Sequence, residues 1–159
     1  MKKLLMVFII VMSCTAINAQ EIYEINGYLK QMKTSADVGI ISDALHLESL
    51  VRDFQPTIYV GKSIVAHNEK QPVCAEAKSG SIDGLSAENP LFSRVELITI
   101  RLQNASDMNF VLDLSKLISF TNLKYVCLLC EFNCGIEDVR KLFIPKTGVI
   151  FIYKVSIPS

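Results

Sequence analysis

The chain has few of the groups that catalysis and nucleic-acid binding require. It contains two histidines, His46 and His67, and neither stands at a metal-ligand spacing. No G-x-S-x-G, no H-E-x-x-H and no phosphate-cradling glycine loop occurs. Basic residues form no cluster and hold no excess, at 16 Lys and Arg against 16 Asp and Glu. That composition excludes the electrostatic footprint of a nucleic-acid binder. No apolar run of about 18 residues follows residue 19, so no spanning helix is expected there. Low-complexity tracts are lacking, and no motif calls for a cofactor.

What is present starts with the first twenty residues. Lys2 and Lys3 precede an unbroken apolar run from Leu4 to Met12, too short to span a bilayer. Ile17, Asn18 and Ala19 then place a small residue before a cut at Gln20. Residues 1–19 read as a secretory signal of bacterial type, and residues 20–159 as a single α/β domain. The location is then periplasmic or secreted. A competing reading treats Val11, Met12, Ser13 and Cys14 as a lipobox, with Cys14 lipidated and anchored in a membrane. Removing the signal takes Lys2 and Lys3 from the 16 basic residues and none of the 16 acidic ones. The mature chain is then 14 against 16 over 140 residues, long enough for one hydrophobic core.

Residues 36–54 carry Ile40, Ile41, Ala44, Leu45, Leu47, Val51 and Phe54 at helical spacing. Asp43, His46 and Arg52 fall on the other face, and Pro56 blocks continuation. Residues 57–61 and 63–66 are short β-favouring runs, and Gly61-Lys62 suits a tight turn between them. Residues 68–90, with Pro72, Gly80, Gly84 and Pro90, read as a long connection. Strands are expected over 95–102, 123–130 and 149–157. Helices are expected over about 106–119 and 135–143.

These last elements repeat. Val95, Ile98 and Ile100 match Leu123, Val126 and Leu128 at an offset of 28 residues, and the third strand follows at a similar distance. The expected architecture is a helix and a β-hairpin followed by a βαβαβ parallel sheet. Residues 112–129, LDLSKLISFTNLKYVCLL, follow a rhythm that resembles a leucine-rich repeat. The resemblance covers about residues 91–157 and implies a curved parallel sheet that binds partners on its open face. Gln103 and Glu131 stand where that family places Asn or Cys. A plain βαβαβ half-sheet gives the same pattern, and both architectures stay open.

Alternation places Ile98, Ile100, Leu102, Val126 and Leu128 in the core. The opposite face then carries Thr99, Arg101, Gln103, Tyr125, Leu129 and Glu131, with Cys127 among them, as a candidate binding face. Leu97, Tyr125, Leu129, Ile150 and Ile152 on that same face argue instead for a cover, by the N-terminal helix or the hairpin.

The mature chain keeps Cys74, Cys127, Cys130 and Cys134. An exported protein is permitted disulfides, and Cys74 with Cys134 or Cys130 is the expected pair. Cys127 and Cys130 form a C-x-x-C within a strand, where residues three apart point to opposite faces. Cys134 stands before a helix N-terminus, where a thiolate is favoured. Asn104-Ala105-Ser106 is a glycosylation sequon, which matters only in a eukaryotic secretory pathway. The function expected from these residues is a non-catalytic binding or structural module of the bacterial envelope, with another protein or an envelope component as partner. The alternative is a small periplasmic thiol-redox or metal-binding protein using Cys127, Cys130 and Cys134. The sequence carries no signal of oligomeric state.

Overall fold

The computed structural model describes residues 21–66 and 71–157. The signal, the lipobox and His67 lie outside them. Strand β1 (Ile22–Glu24) leads directly into helix α1 (Ile25–Lys33), capped by the Glu24 carboxylate, which accepts from the Gly27 N–H at 2.9 Å. Helix α2 (Val38–Arg52) is capped by Asp37, which accepts from the Gly39 N–H at 2.7 Å. The expected helix therefore forms, two residues shorter at each end. Its buried stripe is Ala44, Leu47 and Leu50, whereas Leu45 and Phe54 are exposed.

Strands β2 (Thr57–Val60) and β3 (Ile64–Ala66) form the expected antiparallel hairpin. Strand β4 (Cys74–Lys78) follows, then β5 (Leu97–Leu102), β6 (Leu112–Asp113), β7 (Tyr125–Cys130), helix α3 (Ile136–Arg140), β8 (Phe143–Ile144) and β9 (Ile150–Val155). Seven strands make one sheet in the order β1-β9-β7-β5-β4-β2-β3, and all but β3 run parallel. From β2 to β9 the spatial order is the chain order. Cys74, Leu97, Tyr125 and Ile150 share one row, so successive strands recur at 23, 28 and 25 residues. Ile98 pairs with Val126 and Ile100 with Leu128, the offset of 28 read in the sequence. Strands β6 and β8 pair as a small second sheet.

The two faces of the main sheet are covered differently. On one face Ile58, Ala75, Ile98, Ile100, Val126, Leu128 and Phe151 pack against the buried residues of the crossovers, such as Phe92, Leu114, Leu117, Phe120, Val139 and Leu142. The other face meets α1 and α2, through Ile25, Leu29, Ala44, Leu47 and Leu50 against Leu97, Tyr125, Cys127 and Ile152.

Three expectations are corrected. The helix expected over 106–119 is absent; 3₁₀ turns at Ala105–Met108 and Leu114–Lys116 flank β6 instead. Buried positions there are Leu112, Leu114, Leu117, Phe120 and Leu123. Steps of two and three residues match extended chain and 3₁₀ turns, and a 3.6-residue period is missing. The helix expected over 135–143 is confined to Ile136–Arg140. The connection over 68–90 contains a central strand, β4, followed by a 3₁₀ segment, Ser79–Ser86. Ala75 and Ala77 give that strand little β propensity, but their small side chains fill the core face with almost no exposure.

Candidate binding groove

Helices α1 and α2 cover only part of their face of the sheet. Beyond their edge the sheet is open. A cavity of about 230 Å³ lies there, between the C-terminal end of α2 and strands β2, β4, β5, β7 and β9. Its floor includes Glu76, Thr99, Arg101 and Leu129, and Lys154 also lines it. Leu50, Val51, Asp53, Phe54 and Gln55 form the helical side, and Tyr59 stands on the hairpin side.

The register explains the arrangement. Tyr59, Glu76, Thr99 and Cys127 share one row across β2, β4, β5 and β7. Lys78, Arg101, Leu129 and Lys154 share the next row outward. Alternation then points every one of these side chains to the same face. Arg101 is fixed at the centre. Its Nε donates to Glu76 Oε1 at 3.1 Å and its Nη1 to Glu131 Oε1 at 3.1 Å. The hydrogen bond to Glu76 raises the guanidinium pKa; partial burial opposes it, and the bond to Glu131 adds to it. Arg101 is thus a charged strut between two carboxylates.

The candidate face read from the sequence divides. Thr99, Arg101 and Leu129 line the groove, and Glu131 braces it. Tyr125 does not belong to the open surface. It is buried beneath α1 and α2, and burial, aided by the Asp43 charge, pushes its hydroxyl up to about 12. Gln103 lies past the end of β5 and is exposed; its backbone N–H donates to Asp107 Oδ2 at 2.6 Å. Sequence reasoning missed Tyr59, Glu76, Phe54 and Lys154. Lys154 was accessible by parity, since Ile150, Ile152 and Lys154 alternate as Tyr125, Cys127 and Leu129 do. Glu76 was hidden with its strand.

His46 is exposed, as expected from its place on the polar side of α2, but it is tethered. Its Nε2 lies 2.9 Å from Glu96 Oε2, which also pairs with Lys124 Nζ at 2.8 Å. This pair ties α2 to the N-terminal edge of the sheet, away from the groove.

The four cysteines are free and buried. Cys74 and Cys127 lie in the cluster under the helices; Cys130 and Cys134 lie in the cluster on the opposite face. The sheet therefore separates Cys74 from Cys134, and the expected pair is not brought together. Cys127 and Cys130 diverge because an odd step along a strand reverses the side chain. Burial pushes the Cys74 and Cys127 thiols up to about 12 each. Burial and then the neighbouring Cys134 thiol raise Cys130 as well. Cys134 is buried against the core and is not displayed at the start of α3. Among the described residues no group of three or more His, Cys, Asp or Glu side chains is placed to hold a metal ion, and no helix is long and apolar enough to cross a membrane.

No family model, no curated protein and no solved structure matches the chain.

Proposed function

We propose that this protein is an exported, non-catalytic binding module of a bacterial envelope. In this reading it is a short leucine-rich-like arc that takes its ligand on the part of the sheet face left open by α1 and α2. The observation that carries the reading is the groove itself, in which fixed polar side chains converge beside exposed aromatic rings. The arc is favoured over a plain βαβαβ sheet by two features. Strand order follows chain order through β2, β4, β5, β7 and β9, and the buried residues of the crossovers between these strands pack on one face, with only the β1-to-β2 connection, α1 and α2, on the other. A doubly wound sheet carries crossovers on both faces. The departure at Gln103 and Glu131 has a local use at one position, since Glu131 braces Arg101. The buried thiols, pushed up where a nucleophile would need to be lowered, speak against the thiol-redox alternative.

Binding of the mature protein, residues 20–159, to washed envelope fractions tests the reading. Retention should be saturable. It should be lost in Thr99→Arg, which fills the groove floor, with the melting temperature kept. No retention, or retention equal in both proteins, would rule out the groove as the binding site.

A further inference from the structure

We propose that the groove is a subsite for a neutral saccharide unit, an inference that rests on the binding reading above and assigns its ligand class. Three observations point there.

Charge comes first. The open part of the sheet face and its helical rim carry Lys78, Arg101 and Lys154 against Asp53, Glu76 and Glu131, three of each sign. Arg101 is already paired with two carboxylates. An anionic ligand seated at Arg101 would have to displace one of them, and a cationic ligand seated at Glu76 would have to displace Arg101. A ligand without net charge meets neither cost.

The second observation is the kind of polar group. Glu76 and Arg101 are planar, fixed by one another, and offer acceptors and donors side by side, with the Thr99 hydroxyl on the adjoining strand. A sugar hydroxyl both donates and accepts, so it completes such a set without a change of protonation. Aromatic faces complete the match. Phe54 is 91% exposed and Tyr59 41% exposed, and both line the groove. An aromatic ring presents an apolar face to the C–H face of a pyranose, while the rest of the ring stays wet.

The third observation excludes the commonest peptide mode. A peptide added as a strand needs an unpaired sheet edge. The floor strands β4, β5 and β7 are each hydrogen-bonded on both sides, so the groove offers no backbone to pair with. Its volume of about 230 Å³ suits a compact ring better than an extended chain.

The test uses the mature protein and a panel of glucose and N-acetylglucosamine monomers and short oligomers, read by amide chemical-shift changes in solution. The expected result is saturable change confined to Tyr59, Thr99, Arg101, Leu129 and their neighbours. Phe54→Ala and Tyr59→Ala should each weaken binding by about tenfold. Phe54 is almost fully exposed, so the melting temperature of Phe54→Ala should hold. Silence across the panel, with envelope retention still lost in Thr99→Arg, would overturn the saccharide assignment and leave the binding reading intact. Saccharide binding that both aromatic variants keep in full would overturn it too, by placing the sugar elsewhere. Silence together with no envelope retention would remove both readings.

Discussion

Arg101 reaches across from β5 to Glu76 on β4, Nε to Oε1 at 3.1 Å, and this bond sets the centre of the groove. The same guanidinium holds Glu131, so removing it leaves two carboxylates facing one space. The Arg101 side chain is 34% exposed and its partners less, which places the network between a surface pair and a buried one. Arg101→Leu should therefore cost about 1–2 kcal/mol. Arg140→Ala breaks an exposed pair with Glu137 on α3 and should cost less than about 0.5 kcal/mol. Chemical denaturation of the two variants checks the ordering. Equal losses would mean that Arg101 is a solvated surface charge.

Glu96 supplies a pH dependence. Burial pushes its carboxyl up, but hydrogen bonds from Lys124 and His46, with their charges, outweigh burial and hold it below its ordinary 4.5. The unfolded chain then binds the proton more readily than the folded one, so stability rises with pH through this window. It is lost as pH falls through the folded value. In Lys124→Met the main opposing hydrogen bond is gone and the folded value climbs. The acid limb of a stability-against-pH curve should flatten relative to wild type. An unchanged limb would show that Glu96 is not the group responsible.

The repeat was legible and its dressing was not. Ile98 and Ile100 lie opposite Val126 and Leu128 because period-two alternation and a 28-residue offset are both visible in the letters. The limit of the helical cover is invisible there. It falls on β7 around Cys127, which packs beneath α1 and α2 and also borders the groove, with Leu129 beyond it in the groove alone. Sequence alternation assigns Tyr125 and Leu129 to one face and says nothing about where along the strand a helix stops. Strand β4 was hidden because Cys74-Ala75-Glu76-Ala77-Lys78 lacks β-branched and aromatic residues; its place comes from pairing with β2 and β5. Without β4, neither Glu76 nor the strut it makes with Arg101 could be read.

Gly84 should resist substitution. A Cβ built there would lie 2.8 Å from Val60 Cγ1, and Val60 is a buried β2 residue with no room to retreat. Gly84→Ala should cost about 1–3 kcal/mol through overpacking. Gly80 lies in the first turn of the same 3₁₀ segment and a Cβ there meets nothing within 4 Å, so Gly80→Ala should stay within about 0.5 kcal/mol of wild type. Thermal melts of both variants decide the matter. Equal stability would mean that this segment does not press on the hairpin.

The thiols should be protected by the fold. Cys127 lies beneath α2 and Cys74 donates to the Leu50 carbonyl at 3.8 Å, and burial holds both thiols at about 12. The thiolate is the reactive form, so at neutral pH almost none is present, even though both cysteines border the groove. In the reduced native protein, Cys74, Cys127 and Cys130 should label far more slowly than an exposed thiol. In denaturant all four cysteines should label together. Mass mapping after timed alkylation reads each position separately. Cys74 and Cys127 share the cluster under the helices, so Leu47→Ala, which loosens α2, should speed both and leave Cys130 on the far face less affected. Fast labelling of Cys127 in the native protein would show that the helices do not cover the sheet. A peptide joining Cys74 to Cys134 would show that the sheet does not separate them.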